Sequence, residues 1–150
     1  MNTRLANKFD LPYYLKIVKE MQHKEWHYFN DMELDMDNTN SLFNSVIHGA
    51  GLCVVIESDE TIGLCFGVLS PNLWLPKLNY LHTIIYYVEE EYRHTTAAYR
   101  LLKEYHKQAD IMKQQGRFYQ HTITASEPLF DIDFSRFGYK MAEKIWVMEQ

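Results

Sequence analysis

A strand, a long helix and a second strand in direct succession constrain this chain most. Residues 80–88 form an unbroken β-type run, and residues 118–124 form another. Between them, from His94 to about Gln115, Ala98, Leu101, Leu102, Tyr105, Ala109 and Met112 recur with the 3.6-residue period, and the pattern stops at Gly116. Two strands joined through a helix are expected to lie parallel and adjacent, linked by a right-handed crossover. Earlier in the chain, residues 51–57 and 62–69 are β-rich apolar runs separated by Ser58-Asp59-Glu60-Thr61, which predicts an antiparallel hairpin. The sheet is therefore mixed.

The flanking segments add helices. Leu11, Tyr14, Leu15, Val18 and Met21 predict an amphipathic helix over residues 11–22, with Asp10 as N-cap and Pro12 in its first turn. Residues 26–40 read as an irregular acidic connection, with Glu25, Asp31, Glu33, Asp35 and Asp37 in or beside it. A short helix follows from Ser41 and ends at Gly49. Pro71 and Pro76 around Leu73-Trp74-Leu75 exclude a central strand and predict a loop with an apolar tip. Residues 126–137 are expected as a short helix or turn, and residues 139–148 as a closing strand.

A chain of 150 residues fits one domain. With 47% hydrophobic and 15% aromatic residues it carries enough apolar side chains for its own core. No apolar run approaches the roughly 18 residues of a membrane helix, and the N-terminus has no signal-peptide core, so a cytoplasmic protein without membrane contact is expected. The net charge is −5 and the basic residues are scattered, which argues against a nucleic-acid partner. Cys53 and Cys65 lack metal or redox spacing and read as small buried hydrophobes. His23 and His27 flank Glu25 but lack a third ligand, so no metal is expected.

The junction Val88-Glu-Glu-Glu-Tyr-Arg93-His-Thr-Thr-Ala-Ala98 stands between strand and helix. It resembles the acyl coenzyme A signature of the GNAT N-acetyltransferase superfamily: an Arg or Gln, two residues, a Gly, one residue, then Gly or Ala. Arg93 and Ala98 match, and Thr96 stands at the Gly position. Val88 five residues before Arg93, the late Phe137-Gly138-Tyr139 and the order of elements extend the resemblance over nearly the whole chain. The fold class it implies is α/β, a GNAT-like mixed central sheet flanked by helices, in the order α-α-β-β-β-α-β-α-β with a shortened C-terminal end.

Physical chemistry gives the junction a use. The first N–H groups of a helix lack internal partners and sit at the positive end of its dipole, where a diphosphate is stabilised. His94, Thr95, Thr96, Ala97 and Ala98 would supply those groups and Arg93 a permanent charge, with Ala97 and Ala98 leaving the approach clear. The resemblance further implies that the pantetheine arm of acetyl coenzyme A (acetyl-CoA) pairs with backbone near Tyr87 and Val88, and that the Val88 amide stabilises the thioester oxyanion. It places a general base at His82, eleven positions before Arg93, with His121 in reserve. The superfamily's thiolate-protonating tyrosine falls at Phe134, so Tyr139, Ser135 or water would take over that role.

The expected activity is direct acetyl transfer from acetyl-CoA to a primary amine, of a cationic small molecule or a protein lysine, the acidic residues favouring a cationic acceptor. The alternative is a catalytically weak GNAT-fold binding or regulatory module, for which Thr96 and Phe134 speak. The Leu73-Trp74-Leu75 loop and the run Ile145-Trp146-Val147-Met148 offer apolar cover in trans, so a homodimer is expected.

Overall fold

The computed structural model describes residues 1–24, 32–124, 133–143, 146 and 148. Among the described residues, five strands form one sheet in the order β1-β2-β3-β4-β5: β1 Asn2–Leu5, β2 Gly51–Glu57, β3 Thr61–Pro71, β4 Asn79–Val88 and β5 Gln120–Ile123. The first four run antiparallel to their neighbours; β5 lies parallel to β4. The helices are α1 Leu11–Lys24, α2 Met36–Ser45 and α3 Ala97–Gln114. The expected hairpin and the crossover from β4 through α3 to β5 are both present.

Helices cover both faces, which explains why β2 and β3 are apolar almost without interruption. Leu52, Val54 and Ile56 of β2 pack with Leu101, Leu102 and Tyr105 of α3 on one face. Cys53 and Val55 pack with Tyr14, Ile17 and Val18 of α1 and Phe43 of α2 on the other. Both cysteines are buried and unpaired, one on each face, and burial pushes their thiols up.

Three expectations need correction. Strand β1 was not foreseen, because Asn2-Thr-Arg-Leu5 has no apolar alternation. It is fastened by Arg4, which bonds both Asp10 oxygens at 2.8 and 2.9 Å and Glu57 at 3.0 Å. Asp10 is consequently no simple N-cap of α1: it is buried, and it closes a capping box with Asn7 over the short turn Lys8–Asp10. The second helix starts at Met36 rather than Ser41, because the Asp35 carboxylate accepts from Asn38 N–H at 2.9 Å and caps it inside the supposed irregular stretch.

The third correction is at the C-terminus. The closing strand expected over residues 139–148 is absent from the described part of that segment, and a 3₁₀ turn, Phe134–Phe137, precedes it. The observed element order thus begins with a strand and, among the described residues, does not end with one.

Candidate active site

The parallel pair β4–β5 forms a fork in one sense only: its described pairing is short and covers one end of β4. It is joined from Tyr80↔Gln120 to Thr83↔Ile123, with one more bond from Thr124 N–H to the Thr83 carbonyl at 2.9 Å. Beyond Thr83 the described part of β5 has ended while β4 continues to Val88. Opposite β3, the register steps from Gly67↔Thr83 to Phe66↔Ile85, so Ile84 is an extra residue, a β-bulge. The bulge reverses which side chains face which helix layer: Leu81 and Thr83 point to α3, but so do Tyr86 and Val88.

Backbone direction follows from the same register. Glu89 N–H donates to the Ile62 carbonyl at 2.8 Å, so Tyr87 opposite Leu64 also exchanges its bonds with β3, while Tyr86 and Val88 turn theirs away, towards the edge of β4 that no described strand pairs with beyond Thr83. Tyr87 therefore presents no backbone to that side. Its hydroxyl bonds Glu20 at 2.7 Å, and the Arg93 guanidinium stacks 5.4 Å above its ring. Arg93 Nε donates to the Val88 carbonyl at 2.9 Å, which ties the strand end to the helix start.

Helix α3 begins three residues later than the periodicity suggests. Glu90–Tyr92 forms a 3₁₀ turn first, and Thr96 sits at the N-cap position with φ −77°. That conformation is open to any residue, so glycine is not required there. The Arg93, Thr95 and Ala97 amides are bonded within the turn, to Glu90 O, Tyr92 O and Thr95 Oγ1. The amides of His94, Thr96 and Ala98 are not drawn into it, and the side chains of His94, Thr95 and Thr96 are exposed. Ala97 and Ala98 are buried against the sheet rather than facing the approach; their small size lets the helix start sit close, with the Tyr86 hydroxyl donating to the Ala98 carbonyl at 2.6 Å.

The two histidines of the fork lie on opposite faces. His82 is on the α1 side, with Nδ1 2.5 Å from Thr122 Oγ1 and Nε2 3.3 Å from Thr124 Oγ1. His121 is on the α3 side, where Nε2 lies 2.9 Å from Thr83 Oγ1, itself 2.7 Å from the Tyr105 hydroxyl. Tyr139 completes this second group: its hydroxyl is 3.2 Å from His121 and 2.6 Å from His106 Nε2. Sequence reading did not single out His106. Only its place at the border of the α3 stripe, one residue beyond buried Tyr105 and four after buried Leu102, marks it. Phe134 packs beside Tyr86 and Tyr139 and has no proton to donate, and Ser135 is exposed with its hydroxyl on Asp133 at 2.5 Å.

Burial lowers the pKa of His82 and His106, so both favour the neutral form. His121 falls from 6.5 to about 4, first through burial and then through His106, His82 and Lys113. A histidine whose folded pKa is depressed binds fewer protons than in the unfolded chain, so stability is lost as pH falls from about 6.5 towards 4. Urea midpoints at pH 7 and pH 5 should show that decline, and His121→Phe should make it shallower; an unchanged slope would show that His121 contributes nothing to it.

His27 and Asp31 lie outside the described residues. Among those described, no three His, Cys, Asp or Glu side chains converge on a metal position, and no helix is long and apolar enough to cross a membrane. Of the acidic connection, Asp35 serves as a helix cap. The 72–78 loop is built by Asn72, whose side chain accepts from Trp74 and Leu75 N–H, and it holds Leu73 and Trp74 almost fully exposed.

No protein-family model and no curated protein matches the sequence. In three dimensions the chain is similar to a possible acetyltransferase from Clostridium difficile 630, at 17% identity over 99% of this chain and 97% of that one, TM-score 0.62. It is also similar to a predicted acetyltransferase with acetyl-CoA from Clostridium acetobutylicum, at 13% identity over 99% and 95%, TM-score 0.65. A third likeness is to a ribosomal-protein-alanine N-acetyltransferase from Brucella melitensis biovar Abortus 2308, at 13% identity over the whole of both chains, TM-score 0.63. The fold is that of the GNAT acetyltransferases.

Proposed function

We propose, from the GNAT fold as premise, that the chain is an N-acetyltransferase moving acetyl from acetyl-CoA directly to a primary amine. The observation that carries this reading is that β4 runs on past its last bond to the described part of β5, and its Val88 end leads to the exposed turn before α3. A diphosphate fits at that turn, on the amides of His94, Thr96 and Ala98, the Thr96 hydroxyl and the Arg93 charge, while the Thr95 hydroxyl is spent on the Tyr92 carbonyl at 2.6 Å. An extended arm then pairs along β4 at Val88 as an added strand would.

Distance separates the roles of Val88 and His82. They stand six positions apart on one strand, about 20 Å at roughly 3.3 Å per residue, a little less for the bulge. A base must come within hydrogen-bond reach of its proton, directly or through one water. Val88 therefore serves the arm in this reading, and the thioester lies nearer Thr83, where His82 flanks the fork from one face and Tyr139 from the other. His82, neutral at pH 7 and oriented by Thr122, is the base that converts the acceptor ammonium to the amine that attacks.

Acetyl-CoA at millimolar concentration should raise the melting temperature, since a ligand specific to the folded state stabilises it by mass action. Arg93→Glu should remove the shift. A wild-type protein that does not respond would end the donor-site reading. Phe134 supports a second reading, a GNAT-fold binding or regulatory module; there the shift would appear without turnover on any of a panel of amines. The preformed, exposed Trp74 loop supports a homodimer in either reading.

A further inference from the structure

The hydrogen-bond chain behind Tyr139 has a direction, set at its buried end. Tyr105 is fully buried, and Thr83 Oγ1 is its hydroxyl's one hydrogen-bond partner among the described residues. A phenol enclosed with a single partner donates to it, because otherwise its proton is left unsatisfied in the core. Thr83 then accepts from Tyr105 and has its own proton to give, and its second partner is His121 Nε2 at 2.9 Å. A neutral imidazole that accepts at Nε2 carries its proton at Nδ1, and burial keeps His121 neutral at pH 7. The Tyr139 oxygen lies 3.2 Å from both ring nitrogens, and because Nε2 accepts from Thr83 it is Nδ1–H that donates to that oxygen. With that oxygen accepting, the Tyr139 proton goes to His106 Nε2 at 2.6 Å. The chain runs one way: Tyr105, Thr83, His121, Tyr139, His106.

We infer that His106 is the proton acceptor behind Tyr139, a positioning residue that lets Tyr139 act as a second base on the α3 face of the fork. The inference rests on the N-acetyltransferase reading, in which an ammonium acceptor must lose two protons to become an amide. His82 takes the first. After the amine nitrogen has attacked, its remaining excess N–H gives up a proton to the Tyr139 oxygen and the bonding pair stays on nitrogen. At the same time the Tyr139 proton moves to His106 Nε2. The C–S bond then breaks with its pair going to sulfur, and the thiolate is protonated by water. His106 becomes an imidazolium whose charge Asp110, one turn further along α3, stabilises and returns its proton to solvent. In this arrangement Tyr139 is not the thiolate's acid, because its proton points away from the cleft.

Two measurements test this. The first needs no substrate: nitrogen NMR of the histidine rings in the wild-type protein at neutral pH. Protons at Nδ1 of both His106 and His121 are expected, and a proton at Nε2 of neutral His106 would overturn the inference. The second is turnover by His106→Gln, whose amide still bonds the Tyr139 hydroxyl but cannot take up a proton. The kcat should fall about 10²-fold with KM for acetyl-CoA unchanged, and the low-pH limb that reports His106 should disappear. The groups that face this ring are Asp110 on α3, His121 on β5 and Tyr139; His82 and Lys113 act on His121. Undiminished kcat in His106→Gln overturns the role. A wild-type protein that neither shifts with acetyl-CoA nor turns over refutes the underlying reading, and the proton step with it. A shift and normal turnover in the variant refute the step alone.

Discussion

Replacing His82 with alanine is expected to lower kcat by about 10²–10⁴-fold, the usual weight of a positioned acid or base. Acetyl-CoA affinity should change little, because the helix-start amides and Arg93 lie at the far end of β4 from His82. The pH dependence sharpens the test. Burial lowers the His82 pKa, so the neutral base persists at neutral pH and is lost only as pH drops below the ordinary imidazole range. Wild-type kcat should decline on that side, and the variant should be slow at every pH. Steady-state kinetics over pH 5–9, with acetyl-CoA binding measured on the same samples, separate the outcomes. Full activity in His82→Ala would shift the whole burden to Tyr139 and His106.

Gly67→Ala should be the most damaging single methyl in the sheet's α3 face. A Cβ at Gly67 would stand 2.1 Å from the Tyr105 hydroxyl and 3.2 Å from both the His82 carbonyl and Leu81 Cδ1. Tyr105 is fully buried and has no room to retreat. Overpacking of this kind costs about 1–3 kcal/mol, and pushing the hydroxyl off Thr83 adds about 1 kcal/mol for the lost hydrogen bond. Urea denaturation should therefore show a loss of about 2–4 kcal/mol. Tyr105→Phe removes the oxygen that clashes, so the double variant should regain much of the loss that Gly67→Ala causes alone. A Gly67→Ala protein as stable as the wild type would show that the sheet yields there more easily than its packing suggests.

Periodicity was informative wherever one face of an element is buried. The α3 stripe from Ala98 to Met112 and the hairpin at Ser58–Thr61 could be read because burial enforces the pattern. It was uninformative where a single polar residue does the fastening. Strand β1 depends on Arg4 reaching Asp10 and Glu57, and the latter is more than fifty residues away, so nothing local announces it. The start of α2 depends on Asp35, which looks like one more acid among several. At the candidate site, His82, Arg93 and the helix-start residues were legible from their spacing along one stretch of chain. His106 was not, because its link to Tyr139 and His121 exists only once α3, β5 and the late turn are brought together. Val88 could be located, but the direction of its amide depends on register with β3, which composition does not encode.

The extra residue at Ile84 makes β4 behave like two reading frames laid end to end. Before it, odd-numbered side chains belong to the α3 layer; after it, even-numbered ones do. Removing Ile84 would set Thr83 beside Ile85 in plain alternation, with His82, Tyr86 and Val88 each keeping its present face. The extra residue is thus a spacer that offsets the two frames by one count while every neighbour keeps its layer, and a length change in a regular part of β4, rather than at the bulge, is what would act as a frameshift within the fold.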